Sequence, residues 1–468
     1  MHLCHGVSSF DSTDIGLDIY KYLNKYNYTL EEHTVTTEDG YILKLHRITT
    51  GRNGIYATEG KPPVLLVHGL GSSSMDYVNY GPGRSIGLML ADGGYDVWLA
   101  NCRGNTWSRN HKNLDPTTRE FYQFSYHEIG YYDLPAKIDY ILQKTNKDQL
   151  SYIGHSQGGT TFFILGCTRP EYMKKINVMA GLAPAVLMSD VSNPLIRLAA
   201  QPIVTLALGF LLEAVKMHLV VPHYDIFTEF AHLCQDDNIK YICQMGYYLI
   251  GGIDEEQMED GIVPIALSNA PAGISYKQLL HFAQAIRTGT FGPLDFGLTV
   301  NRQKYGKQKP GNYNLGKNIS PPVKIYYGAG DTLVAPTNTE QLKNILPNVE
   351  LKLINATNFM HLDFLWSKDI VELLNNDIVA LMNKYNDVKV TTTGPSSSEI
   401  TTEAASSNPT TPQKPETSSV TTPQKPETTA SENPETSSIK PDTDSATSIS
   451  GNVMIFGLLL LHIFFKNY

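Results

Sequence analysis

Six short apolar runs occur between Pro63 and Ile354, and longer stretches with helical patterns separate them. The runs are continuously apolar rather than alternating, which is typical of strands in a parallel sheet that is buried on both faces. Strands that alternate with helices predict an α/β fold with a mostly parallel central sheet. The runs are Pro63–His68, Asp96–Ala100, Leu150–Gly154, Val178–Leu182, Val323–Tyr327 and Glu350–Ile354.

The pentapeptide Gly-His-Ser-Gln-Gly at Gly154–Gly158 follows directly on the third run. A serine at a strand-to-helix turn needs small neighbours, because strained dihedral angles expose its hydroxyl. The segment Gly159–Leu165 predicts a helix whose positive N-terminal end lies beneath that serine. The pentapeptide alone is common by chance, but its position after a strand predicts a nucleophile at Ser156.

A serine nucleophile needs a general base, and the base needs a carboxylate that orients it. Asp331 follows the fifth run and His361 follows the sixth. Taken alone, they would more often be a turn-capping aspartate and an ordinary loop histidine. The chain order serine, aspartate, histidine is that of α/β-hydrolases, so we expect Ser156, Asp331 and His361 to form a catalytic triad. Asp363 is the second choice for the acid.

Two backbone N–H groups are expected to bind the oxyanion that forms during acyl transfer. One should belong to Gln157, which follows the serine, and the other to the glycine-rich loop His68–Gly71. Gly69 and Gly71 let this backbone approach a substrate closely. A simple glycine-rich turn is the alternative interpretation of the loop.

The composition limits the classes of partner and cofactor. Hydrophobic residues make up 41% of the 468, and 37 Lys and Arg against 46 Asp and Glu give a formal net charge of −9. No basic block is present, so we expect no nucleic-acid partner. Five cysteines without a CxxC pair predict neither a disulfide scaffold nor a zinc site, and we expect no metal and no cofactor.

A long apolar stretch, Leu195–Val221, lies between the fourth and fifth runs. Its central segment, Ile203–Leu212, is too short to span a bilayer. It is either a buried core helix or a lid helix that covers the site and opens onto a lipid surface. We favour the lid, because the predicted triad residues flank the stretch on both sides.

The C-terminal part differs sharply in composition. Residues 391–450 contain 36 Ser, Thr or Pro, which predicts a disordered, O-glycosylated stalk or a plain disordered tail. Residues 451–468 contain the apolar run Val453–Phe465 and resemble a glycosylphosphatidylinositol attachment signal, with a short spanning anchor second and an untethered tail third. Met1–Phe10 has no secretion signal, so we expect the native chain to carry further N-terminal residues.

Several dispersed motifs occur together in one order. They are Val35–Leu43, Asn101–Asn105, Asp133–Ala136, Asn269–Gly273 and His361–Phe364. With them, the chain resembles the acid lipase family of gastric lipase and lysosomal acid lipase over about residues 12–385. The resemblance implies an α/β-hydrolase lipase domain at residues 1–390, with a helical cap and lid inserted at about residues 189–296.

The resemblance also implies roles for individual residues and a substrate class. It assigns the triad to Ser156, Asp331 and His361, the oxyanion donors to Leu70 and Gln157, and a cap disulfide to Cys234 and Cys243. The family cleaves triacylglycerols and sterol esters without a colipase, often at acid pH. The rival hypothesis is a catalytically silent adhesion protein on the same scaffold, and the complete triad favours the enzyme.

The expected location follows from the tail and from two sequence triplets. Asn27 and Asn355 each begin an N-glycosylation triplet, which gains weight in a secreted chain. Together with the stalk and the apolar tail, they predict an extracellular or cell-surface protein that is tethered to a membrane. The alternative is a lysosomal or endosomal location.

Overall fold

The computed structural model describes residues 10–386 except 53, 55–59, 221–224, 253, 255 and 260. The predicted stalk at 391–450 and the predicted anchor signal at 451–468 lie outside the described residues. Within the described part of the chain, no helix is both long enough and apolar enough to cross a membrane.

A single large sheet forms the centre of the described residues. It contains nine strands, eight of them in the order β1-β2-β4-β3-β6-β7-β10-β11, and β5 pairs with β2. The six strands from β4 to β11 in this order run parallel to one another, whereas β2 is antiparallel to β1, β4 and β5. A further ribbon pairs β8 with β9. The strands are β1 (Thr29–Thr36), β2 (Tyr41–Thr50), β3 (Pro63–Val67), β4 (Asp96–Ala100), β5 (Asn110–His111), β6 (Leu150–His155), β7 (Ile176–Leu182), β8 (Leu219–Val220), β9 (Ile274–Ser275), β10 (Val323–Tyr327) and β11 (Val349–Leu353).

Sixteen α-helices occur in the same described residues. They are α1 (Ile19–Lys25), α2 (Ile86–Asp92), α3 (Tyr126–Glu128), α4 (Leu134–Thr145), α5 (Gln157–Thr168), α6 (Pro194–Ala199), α7 (Pro202–Ala214), α8 (Asp225–Leu233), α9 (Asp237–Ile250), α10 (Ile262–Leu267), α11 (Tyr276–Thr288), α12 (Leu298–Tyr305), α13 (Leu315–Asn318), α14 (Pro336–Gln341), α15 (Asp363–Trp366) and α16 (Asn376–Asn386).

Local signals set several helix ends. The Asp18 side chain caps α1 by accepting a hydrogen bond from the Lys21 N–H. A reciprocal capping box between Ser275 and Gln278 starts α11, and Gly289 ends it in the left-handed conformation that glycine adopts most easily. These ends place α11 directly after the β8–β9 ribbon.

The sheet is buried on both faces, which explains the continuous apolar runs. Val64 and Leu66 of β3 belong to one hydrophobic cluster, with side chains from α1, α2 and α16. Leu65 and Val67 belong to a second cluster, with side chains from α4 and α5. Successive side chains of a strand point to opposite faces, so a strand covered on both sides is apolar at most of its positions.

All six predicted strands are present, as β3, β4, β6, β7, β10 and β11, and the predicted α/β-hydrolase class is confirmed. Two details differ. The prediction that both faces are buried is wrong for β11, because this strand lies at the edge of the sheet and exposes Glu350 and Leu353. Strands β1 and β2, which form the antiparallel side of the sheet, were not among the predicted runs.

The chain between β7 and β10 forms α6 to α13 and the β8–β9 ribbon. The predicted cap segment, at about 189–296, covers α6 to α11. Helix α7 leaves its apolar side chains in solvent: Ile203 is 82% exposed, Phe210 is 68% exposed, and the buried residue of the helix is Leu212. The alternative of a buried core helix is therefore wrong for this segment.

Candidate active site

Ser156 occupies a strained turn between β6 and α5. Its dihedral angles are φ 50° and ψ −117°, in a region that costs a non-glycine residue about 1–3 kcal/mol. The turn is possible because glycines follow it two and three residues after the serine: a Cβ on Gly158 would lie 1.9 Å from the Val67 carbonyl oxygen, and one on Gly159 would lie 2.4 Å from Pro184 Cβ. Gly158 and Gly159 thus allow the strand, the turn and the helix to pack this closely.

Backbone hydrogen bonds hold the strained turn in place. The Ser156 N–H donates to the Leu182 carbonyl at 2.9 Å, which ties the turn to β7. The Ser156 carbonyl accepts from the N–H groups of Gly159 and Thr160 at 3.0 and 3.1 Å, within the first turn of α5. The serine side chain is partly accessible between these fixed elements.

Asp331 and His361 form a buried pair at the carboxyl ends of β10 and β11. The His361 Nδ1–H donates to Asp331 Oδ2 at 2.8 Å, and the two residues are 4% and 3% exposed. The other carboxylate oxygen accepts from the N–H groups of Leu333 and Val334 at 2.9 and 2.8 Å. The carboxylate is therefore fixed by its own turn, and the pairing at Nδ1 leaves Nε2 of the neutral imidazole free to accept a proton.

Asp363, the second choice for the acid, binds backbone rather than the imidazole. Its carboxylate accepts from the Met360 N–H at 2.7 Å and from the Asp254 N–H at 3.2 Å. Burial raises the pKa of this carboxyl to about 7. Asp363 thus shapes the loop that carries His361 and joins it to the segment after α9.

His155, the residue before the serine, contacts the loop of His361. Its Nε2 donates to the His361 carbonyl at 3.0 Å, because a carbonyl only accepts, and the ring centroids lie 4.9 Å apart. Burial lowers the pKa of His155 to about 3, so this ring is neutral. The contact brings His361 to the nucleophile turn, although the Ser156 hydroxyl forms no hydrogen bond with any residue that the structure describes. Such bonds often tighten only when a substrate is present.

The predicted oxyanion residues lie on either side of Ser156. Gln157 is the first residue of α5, and Leu70 lies in the loop after β3. A Cβ on Gly69 would lie 3.4 Å from Ser156 Cβ, so this loop runs directly against the nucleophile. Gly71 has φ 73°, which is the kind of conformation that glycine permits. The arrangement is suited to binding an oxyanion next to the serine hydroxyl.

Comparisons with known proteins show the family of this chain. The family model for a partial α/β-hydrolase lipase region matches residues 19–81, and the model for the α/β-hydrolase fold matches residues 62–199. Human gastric triacylglycerol lipase is 34% identical to this chain, over 80% of this chain and 92% of the relative. The chain belongs to the acid lipase family.

Two other relatives and one solved structure are also similar to this acid lipase. Lipase 1 of Drosophila melanogaster is 38% identical over 79% of this chain and 81% of the relative. Lysosomal acid lipase/cholesteryl ester hydrolase of Macaca fascicularis is 34% identical over 80% of this chain and 92% of the relative. The crystal structure of a putative lipase from Sulfolobus solfataricus has a TM-score of 0.51 at 14% identity, covers 76% of this chain and 94% of that chain, and shows the fold alone.

The remaining predicted residues of this acid lipase lie away from the serine turn. Cys234 follows α8, Cys243 lies in α9, and a disulfide joins them. Asn27, in the turn after α1, and Asn355, after β11, are both exposed and therefore accessible to glycosylation, which stays a prediction. Two contacts were not predicted from the sequence: the His155 bond to the His361 loop, and a bond between the Gln157 side chain and a residue of α11.

The two candidate acids can be separated by isosteric substitution. Asp331→Asn should lower turnover by about 10⁴-fold, because an amide favours the wrong imidazole tautomer. Asp363→Asn is the matched control: its remaining oxygen still accepts backbone hydrogen bonds, so turnover should fall by less than about tenfold. Rates on a soluble ester, with circular dichroism as a check on folding, test both. A larger loss for Asp363→Asn than for Asp331→Asn would contradict the assignment.

Proposed function

We propose that this lipase cleaves carboxylic esters of lipids through an acyl-enzyme intermediate on Ser156. The main support is the strained Ser156 turn beside a buried pair in which His361 donates to Asp331 at 2.8 Å. A strained serine on a strand-to-helix turn, with a carboxylate-oriented imidazole from a neighbouring loop, is the arrangement that acyl transfer requires.

In the proposed mechanism, His361 Nε2 accepts the Ser156 hydroxyl proton while the serine Oγ attacks the ester carbonyl carbon. The backbone N–H groups of Leu70 and Gln157 donate to the oxyanion that forms. His361 then gives the proton to the departing alcohol, which leaves an acyl group on Ser156. Water, deprotonated by His361, attacks this acyl group; His361 then returns the proton to Ser156 Oγ as the bond between Oγ and the acyl carbon breaks, which releases the fatty acid and regenerates the enzyme. Asp331 keeps the imidazole oriented and stabilises its charged form.

The proposed substrates are triacylglycerols, sterol esters or both. The names of the relatives, a triacylglycerol lipase and a cholesteryl ester hydrolase, support this class. Helix α7 adds a physical argument, because four large apolar side chains of this helix are more than half exposed. We call this surface the lid face; it consists of Ile203, Leu206, Phe210 and Leu211.

We propose that α6 to α11 form a cap and that α7 is its lid. Exposed apolar area on one helix is costly in water and favourable against lipid, so the lid face is suited to a lipid–water interface. The C-terminal end of α7 is tied to the rest of the molecule through Glu213. This carboxylate accepts from the Tyr276 hydroxyl at 2.6 Å and pairs with Arg119 at 3.0 Å. No colipase is then needed to bring the enzyme to an interface.

The nucleophile has a direct test. Ser156→Ala should lower ester hydrolysis by about 10⁴–10⁶-fold with the fold intact, because the acyl-enzyme can no longer form. A serine-reactive phosphonate should label Ser156 in the wild-type chain and nothing in the variant. Appreciable turnover by the alanine variant, or labelling of another serine, would remove Ser156 from the mechanism. Lack of hydrolysis by the wild-type chain would favour the silent adhesion protein.

The lid face can be tested with two leucines of equal exposure. Leu206 on the lid face and Leu298 on α12 are each 62% exposed. Leu206→Ser should lower the rate on a triacylglycerol emulsion by about fivefold, or about 1 kcal/mol of interfacial affinity, and leave a soluble ester unaffected. Leu298→Ser should change neither rate. Equal losses on emulsion and soluble ester, or equal losses in the two variants, would argue against a lid.

We further propose that the enzyme acts outside the cell or in the lysosome, and that residues 451–468 are a signal that is removed when a glycosylphosphatidylinositol anchor is attached and tethers the enzyme to a membrane. Gastric and lysosomal relatives support the first part, and the sequence of the tail alone supports the second. The stalk at 391–450 would then act as a semi-extended spacer.

The tether has its own measurement. With a signal peptide supplied, the chain should appear on the cell surface and be released by phosphatidylinositol-specific phospholipase C, and deletion of residues 451–468 should send it to the medium. Surface protein that resists the phospholipase and retains Tyr468 would indicate a spanning anchor. Secretion of the intact chain would reject both forms of attachment.

A further inference from the structure

The side chain of Gln157 is held by a residue 121 positions away. Gln278, in the first turn of α11, donates from Nε2 to Gln157 Oε1 at 2.8 Å. Gln157 is 1% exposed and Gln278 is 4% exposed, so little water competes for this bond. A hydrogen bond between two buried side-chain amides is costly to break, because each partner would lose its hydrogen bond without regaining one from solvent.

The direction of this bond is set by a backbone group. The Ser275 N–H donates to Gln278 Oε1 at 2.9 Å, as part of the capping box of α11. A backbone N–H cannot accept, so the Gln278 oxygen must face Ser275 and its NH₂ group must face Gln157. The Gln157 oxygen is then the only group of that side chain that can receive this hydrogen. Helix α11 therefore fixes both amides in one orientation.

The anchored side chain belongs to the residue whose N–H is the proposed oxyanion donor. The peptide plane between Ser156 and Gln157 carries that N–H, and its direction depends on the strained ψ of Ser156, −117°. Strained dihedral angles persist only where surrounding contacts over-determine them. A fixed Gln157 side chain restrains the plane from its far side, while the Ser156 N–H bond to Leu182 restrains it from the near side.

We propose that Gln278 is a positioning residue that couples the first turn of α11 to the oxyanion donor at Gln157. It touches neither substrate nor nucleophile and acts by keeping the Gln157 N–H aimed at the oxyanion. This inference rests on the proposed function, because it assigns a role within that acyl transfer. It also places part of the oxyanion geometry under the control of the segment between β7 and β10.

Two further contacts keep the first turn of α11 in place. The Ser275 hydroxyl donates to the Tyr122 carbonyl at 2.7 Å, and the Tyr276 hydroxyl donates to Glu213 in the last turn of α7 at 2.6 Å. Gln278 thus extends from a turn that is held at two further points. Such support is what a positioning residue needs, because an error of about 1 Å at the site can cost about 10²-fold in rate.

A double-mutant cycle on a soluble ester such as p-nitrophenyl butyrate tests the coupling without an interface. Gln157→Met and Gln278→Met each remove the hydrogen bond between the two side-chain amides and keep the side-chain length. Each should lower kcat by about tenfold with KM changed less than about twofold, since only transition-state stabilisation is lost. The double variant should be no slower than the slower single variant, because both changes delete the same interaction.

Ser275→Ala is the matched control. It removes the other half of the capping box and the bond to Tyr122, but keeps the pair Gln157–Gln278. In this variant the Ser275 N–H still donates to Gln278 Oε1 and the Tyr276 hydroxyl still donates to Glu213, so the first turn of α11 stays in place. Ser275→Ala should therefore lower the melting temperature about as much as Gln278→Met and leave kcat within about twofold. If Gln278→Met does not fold, Gln157→Met with its intact capping box still measures the loss of the bond.

Three results would overturn the proposal: unchanged kcat in the Gln157 or Gln278 variant, additive losses in the double variant, or a loss in Ser275→Ala equal to that in Gln278→Met. Phosphonate labelling of Ser156 in every variant separates this inference from the proposed function. If the wild-type chain is labelled at Ser156 and Gln278→Met hydrolyses at the wild-type rate, only the role of Gln278 is lost. If the wild-type chain is not labelled there, the mechanism itself is wrong.

Discussion

The tight turn at Ser156 is the constraint on which the rest of the site depends. A non-glycine residue with φ 50° and ψ −117° is tolerated only because backbone from three directions fixes it. Strand β7 accepts its N–H, α5 donates to its carbonyl, and the end of β3 approaches Gly158 so closely that no Cβ fits. The nucleophile can therefore be displaced only together with the centre of the sheet.

The same sheet brings the other groups to this turn. The loop with Leu70 follows β3, Asp331 follows β10 and His361 follows β11, and all of these strands run parallel to β6. The carboxyl ends of parallel strands lie at one edge of a sheet. Leu70 and His361, which are 291 positions apart in sequence, are therefore brought to the same edge. The hydrogen bond between His155 and the His361 carbonyl then holds the His361 loop against the Ser156 turn.

The sequence predicted the parallel half of the sheet because strands covered on both faces have nearly continuous apolar sequences. It missed β1 and β2, where no continuous apolar run marks the strand: β1 buries Val35 among exposed and half-exposed positions, and β2 alternates mostly between buried and half-buried positions. It favoured a lid for Ile203–Leu212 only because predicted triad residues flank the stretch, since an apolar helix has the same residue types in a core and on a lid. The capping-box pattern of Ser275 and Gln278 was visible, but nothing local indicates that Gln278 reaches Gln157, because that contact exists only after folding.

Buried titratable groups make the stability of the fold depend on pH in opposing directions. Burial raises the pKa of Asp363 to about 7, and likewise that of Asp76, in the loop after β3. Between about pH 4 and 7 the folded chain then holds protons that the unfolded chain has released, so these two groups make stability fall as pH rises, by up to about 1.4 kcal/mol per pH unit each. Glu128 acts in the opposite sense. Although burial opposes its charge, His127 and Lys304 lower its pKa to about 2, so its contribution is lost as pH falls below about 4.5 towards 2. Four buried histidines oppose the two aspartates: burial lowers the pKa of His46 and His68 to about 4 and that of His155 and His281 to about 3. Between about pH 6.5 and 4 the unfolded chain therefore holds protons that the folded chain has released, so these groups make stability rise with pH. The stability of the fold at acid pH is thus a balance between buried carboxyl groups that hold their protons and buried histidines that do not.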